Sequence, residues 1–380
     1  MAVRLKSLSD QVIVITGASS GIGLTTARMA AERGARVVLA ARDEGALRRV
    51  TDDIGRRGGE AVHVVADVGR IEDVHRIAEA AVERFGGFDT WVNNAGVSIY
   101  GTIEQIPLEE QRRLFDTDYW GVVHGSRVAV EHLRKRGGGA LINVGSVLSE
   151  RAVPYQGPYC AAKHAVKGFT DALRMELEAD GLPIAVTLIK PGSIDTPFPE
   201  HAKNYLPEQP RVPPPVYAPE LVARAILSAA ERPVRDLYVG GGGRLIAAAD
   251  RLAPRLTDYA MERTGLRSQQ SGWPAGDRGR NSLYGPSQGG RQRGSQSYYT
   301  RERSAYTAME LHPVVTATAA AALGAALATL LWSRGANGGA APPPRRRRRP
   351  AAPPGGVRPE TLGAAGRDPE WRERGDAPMG

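Results

Sequence analysis

Near the N-terminus the apolar run Val12-Ile13-Val14-Ile15 leads straight into Thr16-Gly17-Ala18-Ser19-Ser20-Gly21-Ile22-Gly23. Four β-branched residues in a row read as a strand covered on both faces. The stretch from Ile22 to Arg33 reads as a helix, stopped by Gly34. Strand, glycine-rich turn and helix in that order leave few folds open. Glycine permits both the sharp turn and a close approach of backbone to a ligand. The helix N-terminus then offers unpaired N–H groups to negative charge. The turn therefore suits the pyrophosphate of a dinucleotide, with Gly17, Ser19, Ser20, Gly21, Ile22 and Gly23 as its cradle.

The alternation continues down the chain. Short apolar runs at 36–41, 61–66, 90–93, 140–144, 184–189 and 237–239 read as further strands, with helical stretches between them. This pattern predicts an α/β fold, a doubly wound parallel sheet of Rossmann-like type, in one folded core over residues 1–265.

After Gly265 the character changes. Residues 1–265 carry 33 Lys+Arg against 33 Asp+Glu, whereas 266–380 carry 17 Arg against 8 acids. The net charge of +9 thus describes an appendage rather than the core. Residues 266–311 are rich in Gly, Ser, Gln, Arg and Tyr without an apolar period, which predicts a disordered linker. Residues 312–333 enclose twenty uncharged positions, Pro313 to Trp332, enough for an apolar helix that crosses a membrane. Its many alanines and three threonines make a buried or partner-bound helix the competing reading. Residues 334–380 read as a disordered Arg/Pro-rich tail containing Arg345 to Arg349. The Arg, Gly and Tyr of 278–303 suit RNA, but a solvated linker is the plainer reading.

Cys160 is the one cysteine, so no intrachain disulfide forms. The seven histidines show no ligand spacing, and no metal site is expected. The first apolar run is too short for a secretory signal and enters the glycine turn at once. These features predict a cytoplasmic core, with membrane association through the C-terminal apolar segment.

A second constellation lies in the middle of the chain. Ser146 is followed, thirteen positions on, by Tyr159-Cys160-Ala161-Ala162-Lys163. Pro158 suits the first turn of a helix running to about Ala179. Tyr159 and Lys163, four apart, share one face of it. A phenol titrates near pH 10. An adjacent ammonium favours the phenolate, which would bring Tyr159 toward acid–base work near neutrality.

With the glycine turn, this Ser…Tyr-x-x-x-Lys pattern resembles the classical short-chain dehydrogenase/reductase family over roughly residues 8 to 240. The resemblance implies hydride transfer between a nicotinamide cofactor and a ketone or secondary alcohol, with Tyr159 as general acid/base. It implies that Ser146 binds the substrate oxygen and that Lys163 holds the nicotinamide ribose. It places Asp67 and Val68 at the adenine, and Asn94, Ala95 and Gly96 along the cofactor after Asn93. Pro191, Gly192, Ile194 and Thr196 match the segment at the nicotinamide carboxamide. The family's acidic ribose-binding position falls on Ala41, and Arg42 follows. An Arg fork suits a 2′-phosphate, so NADP is expected rather than NAD. The family's relay asparagine is replaced here by Asp118, which has lost two donors and gained a charge. Members commonly pair through helices beside the active site, which implies a homo-oligomer.

Residues 197–219, with Phe198, Tyr205 and Tyr217, correspond to the family's substrate cap, and their aromatic content suggests an apolar substrate. The alternative class is a dinucleotide-binding sensor or scaffold, weak in catalysis because of Asp118, whose tail binds membrane, a partner or RNA. Intact Ser146, Tyr159 and Lys163 favour the enzyme.

Overall fold

The computed structural model describes residues 3–332, apart from 278, 298, 313–315, 319, 320, 323, 330 and 331. Seven strands form the central sheet: β1 Val12–Thr16, β2 Arg36–Ala41, β3 Ala61–Val65, β4 Thr90–Asn93, β5 Gly139–Val144, β6 Ile184–Pro191 and β7 Asp236–Val239. Their order is β7-β6-β5-β4-β1-β2-β3, and every neighbouring pair is parallel. The chain reverses direction across the sheet between β1 and β4. A crevice opens at the strands' carboxyl ends at such a switch point.

The side-chain period of two sorts β1 cleanly. Ile13 and Ile15 enter the core on one face, with Val37 and Leu39 of β2. Val12 and Val14 enter the other, with Val38 and Ala40. The first face is covered by α1 (Gly21–Glu32), α2 (Glu44–Arg56) and α7 (Pro219–Glu231). The second is covered by α3 (Ile71–Phe85), α5 (Gly121–Arg136) and the end of α6 (Gly157–Ala179). Helix α4 (Leu108–Phe115) runs into α5 through a π-helical turn, Asp116–Trp120. Extra-residue turns of this kind shift side chains out of α-helical register and recur at functional sites.

A buried polar network knits β4, β5, α5 and α6. Trp91 Nε1 donates to Asn93 Oδ1 at 2.7 Å, and Asn93 Nδ2 donates to Asn143 Oδ1 at 2.9 Å. Asn143 Nδ2 donates in turn to Thr170 Oγ1 at 2.9 Å. Gly125 is the floor of this network. A Cβ there would lie 2.0 Å from Asn93 Oδ1 and 2.8 Å from Trp91 Nε1. Gly125→Ala should therefore lower stability by about 3 kcal/mol, from overpacking and a broken buried hydrogen bond. An unchanged denaturant midpoint would contradict this account of the network.

Residues 266–311 depart from the expected disordered linker. They hold α10 (Leu266–Ser268), a strand at Gln270–Pro274 paired with Glu208–Pro210, a strand at Thr300–Arg301 paired with Val216–Tyr217, and α11 (Ala305–Leu311). This segment lacks an apolar period because it binds the core mainly through backbone and polar hydrogen bonds. Leu283, 1% exposed, is its buried apolar anchor.

Residues 1–322 form one compact unit and 323–380 a second. Within the second, 324–329 and Trp332 are helical, and the expected tail at 334–380 lies outside the described residues. The membrane-crossing helix expected at 313–332 finds no support. Among the described residues no helix is long and apolar enough to cross a membrane. Eight of its twenty positions, 313–315, 319, 320, 323, 330 and 331, lie outside the described residues.

Candidate active site

The glycine turn closes on itself through the next crossover. Thr16 Oγ1 accepts the N–H groups of Asn94 and Ala95 at 3.0 and 3.1 Å. Asn94 Nδ2 donates back to Thr16 O at 2.8 Å. Gly17 has φ +68°, and a Cβ on it would stand 2.8 Å from the Ala95 Cα. A Cβ on Gly23 would sit 2.3 Å from the Gly17 carbonyl oxygen. The two glycines thus let β1, the turn and the start of α1 collapse onto Asn94-Ala95-Gly96.

This turn forms one end of a cavity of about 600 Å³. Of the site residues read from sequence, all but Gly23 and Asp118 line it. Gly23 stands behind the turn it makes room for, and Asp118 stands behind Lys163. Arg42, at the end of β2, lies 4.0 Å from Asp67 Oδ2. Arg113 also pairs with Asp67, so this carboxylate gathers two guanidiniums at this end of the cavity. Thr196 packs against Gly21: a Cβ there would meet the Thr196 Cβ at 3.2 Å. The segment after β6 therefore closes over the turn from the opposite side.

At the other end Ser146, Tyr159 and Lys163 converge. Ser146 ends β5 and caps a short turn, its Oγ accepting the Leu148 N–H at 3.1 Å while its own N–H donates to Ser149 Oγ at 3.2 Å. Tyr159 and Lys163 sit in the first turns of α6, 8% and 4% exposed. The Lys163 Nζ lies 5.5 Å from the Tyr159 ring centroid and donates to Val144 O at 3.3 Å. It also stands 3.4 Å from Asp118 Oδ2. Asp118, fully buried on the π-helical turn, accepts the Val97 N–H through Oδ1 at 2.7 Å. Its Oδ2 has no well-aligned hydrogen-bond partner.

The electrostatics reverse one expectation. Lys163 was expected to lower the Tyr159 pKa; the phenol instead lies well above its usual value. Burial is the main cause and the Asp118 carboxylate the second, while a hydrogen bond from Ser146 opposes them. Lys163 faces Asp118 at ion-pair distance, so much of its field is cancelled where Tyr159 would feel it. Burial also raises the Asp118 carboxyl, and Lys163 and the Val97 N–H pull it back. In this arrangement Tyr159 holds its proton.

The remaining cavity wall is largely apolar. Phe198 packs at 5.7 Å, centroid to centroid, from Tyr159. Tyr217 lines the wall, whereas Tyr205 turns away and donates to Glu110 Oε2 at 2.9 Å. Ile246 of α8 (Gly242–Leu252) and Met261, which follows α9 (Pro254–Ala260), reach the cavity too. Gln156 and Gln269, both buried, bond to each other at 2.7 Å at its edge. Sequence reading missed Ile246, Met261 and Gln269, because residues after 240 carry no motif and their place depends on α8 to α10 folding back, and it missed Gln156, whose partner Gln269 comes from that segment. Cys160 is a packing residue, its thiol pushed up to about 11 by burial.

Comparison with known proteins agrees with this geometry. A family model described as short chain dehydrogenase matches residues 11–205. The oxidoreductase YxnA of Bacillus subtilis, itself named as uncharacterized, is 51% identical over 323 residues, covering 84% of this chain and 91% of that protein. D-beta-hydroxybutyrate dehydrogenase of Rhizobium meliloti is 37% identical over 202 residues, 52% of this chain and 76% of that one. Among solved structures, a short-chain type dehydrogenase/reductase from Mycobacterium marinum matches with TM-score 0.55 and 31% identity, over 62% of this chain and 96% of its own. L-sorbose reductase from Gluconobacter frateurii, solved with NADPH and L-sorbose, matches with TM-score 0.55 and 29% identity, over 64% and 98%. With the glycine turn, the parallel sheet and the Ser146, Tyr159 and Lys163 cluster, these matches establish that the chain belongs to the short-chain dehydrogenase family of oxidoreductases.

Proposed function

We propose that this enzyme is an NADP-dependent oxidoreductase acting on an apolar ketone or secondary alcohol, with Tyr159 as general acid/base. The observation that carries the reading is the single cavity joining the Arg42 and glycine-turn end to the Ser146, Tyr159 and Lys163 end. The turn fits a dinucleotide: Gly17 and Gly23 leave no room for a Cβ against Asn94, Ala95 and the Gly17 carbonyl, and the tight turn they permit sets Gly17, Ser19, Ser20, Gly21 and Ile22 along the cavity. A bound nicotinamide cofactor supplies the hydride acceptor or donor. The chain's residues do the rest. Ser146 Oγ binds the substrate oxygen and steadies charge developing on it. Tyr159 gives its proton to that oxygen in reduction and takes it in oxidation. Lys163 orients the ribose, and the apolar wall excludes water. The free, buried Cys160 is compatible with a reducing cytoplasm.

The NADP assignment rests on Arg42, with no carboxylate at Ala41. Wild-type enzyme should bind NADPH at least about tenfold more tightly than NADH, the scale of a charge-assisted hydrogen bond. Arg42→Ala should erase most of that difference by weakening NADPH alone. Titration of cofactor fluorescence decides it: equal affinities in the wild type, or equal loss for both cofactors in the variant, would refute the phosphate-binding role. A screen of ketones and secondary alcohols with each cofactor tests the reaction. Dinucleotide binding with no turnover on the screen would favour the sensor reading.

A further inference from the structure

The segment 281–291 runs along the adenosine end of the cavity and bonds to the groups that shape it. Arg42 donates to the carbonyls of Ser282 and Leu283, and Arg113 Nε donates to Leu283 O at 3.1 Å. The Gly289 N–H donates to Asp43 Oδ2 at 2.9 Å, and the Gly290 N–H to Ser19 O at 2.8 Å. The Gly21 N–H, at the head of α1, donates to Arg291 O at 2.9 Å. The strap is therefore fastened at the glycine turn and at the end of β2. Leu283 pins it further by entering the apolar cluster that holds Ile99, Leu114 and Tyr159. Between these fastenings Ser282, Pro286 and Ser287 form part of the cavity wall.

We propose that residues 281–291 are a built-in part of the dinucleotide site, a strap that completes its adenosine end and retains the bound cofactor. The proposal rests on the reading of this cavity as a dinucleotide site. Its groups suit that role, since it orients Arg42 through two carbonyls and sets Ser282, whose hydroxyl donates to His201 O at 2.9 Å, and Ser287 at the wall. The match to YxnA covers 84% of the chain. A stretch that long includes 281–291, so the strap region falls within the matched span. A pyrophosphate that uses the Gly21 N–H must displace Arg291 O, so a cofactor enters and leaves only as the Ser19, Gly21 and Asp43 bonds open, which makes exchange slow.

Gly289 offers a direct test. A Cβ there would lie 2.7 Å from Ala46 Cβ and 2.8 Å from Ser19 O, so Gly289→Val must lift the strap off the turn. In the full-length protein, stopped-flow displacement of NADPH and of NADH should show release at least about tenfold faster in the variant, for both cofactors. Unchanged release would overturn the proposal. Tighter binding in the variant would also overturn it, and would make the strap a plug that competes with cofactor. Hydrogen exchange on the wild-type protein provides a second readout that needs no variant. Amides of 281–291 should exchange more slowly with NADPH bound, and equal exchange would again sink the idea. The readouts separate two failures. Equal affinity for NADPH and NADH in the wild type ends the NADP reading and leaves the strap standing.

Discussion

Replacing Tyr159 with Phe is expected to lower turnover on the order of a thousandfold while leaving cofactor affinity within about twofold. The change removes one hydroxyl and keeps the ring, so the packing against Phe198 survives. Ser146 and Lys163 remain in place, fixed by their bonds to Leu148 N–H and Val144 O. What is lost is the proton that must reach the substrate oxygen. Among the described neighbours, Ser146 is a poor substitute because its hydroxyl has no base behind it. The loss should fall on kcat rather than on cofactor binding. A variant keeping more than about a tenth of wild-type turnover would remove Tyr159 from the mechanism. Parallel loss of NADPH affinity would instead show that the hydroxyl is needed to build the site.

The legible and illegible parts of this chain divide along a physical line. Strands buried on both faces announce themselves as apolar runs, so β1 through β7 stand within about two residues of their sequence positions. The glycine turn and α6 were legible because their constraints are local: a Cβ does not fit at Gly17, and Tyr159 and Lys163 share a helix face. The strap was not legible. Its contacts with Ser19, Asp43 and Arg42 pair residues 240 to 271 positions apart through the strap's backbone atoms, and composition carries no trace of such pairing. Its glycines and serines looked like a solvated linker for the same reason that they fit here, since small residues allow backbone to approach backbone. The membrane expectation stands differently. Length without charge suggested a span, eight of the twenty positions lie outside the described residues, and among the described residues no helix is long and apolar enough to cross a membrane. The state of Tyr159 was also beyond the sequence. The upward shift comes first from burial and second from Asp118, 41 positions upstream, which stands within ion-pair distance of Lys163.

Asp118→Asn should move the pH dependence of the reaction, and the sign follows from that geometry. The Asp118 carboxylate raises the Tyr159 pKa, second only to burial. Removing its charge stabilises the tyrosinate and frees the Lys163 ammonium to favour it as well, so the Tyr159 pKa falls. Alcohol oxidation needs the phenolate as base, and its activity rises with pH through that pKa. The rising limb should therefore shift to lower pH, by on the order of one unit. Oxidation measured below the wild-type pKa should become faster. Ketone reduction needs the phenol, and its falling limb should move down in the same direction. The asparagine can still accept the Val97 N–H through its amide oxygen, so the π-helical turn keeps its anchor. The amide also offers Lys163 no charge, so the ammonium turns toward Val144 O. A variant with an unshifted profile would mean that Asp118 carries a proton across the working range. Loss of activity at every pH, with the fold intact, would show that this enzyme requires the carboxylate itself, and that its departure from the family's asparagine is an adaptation rather than a handicap.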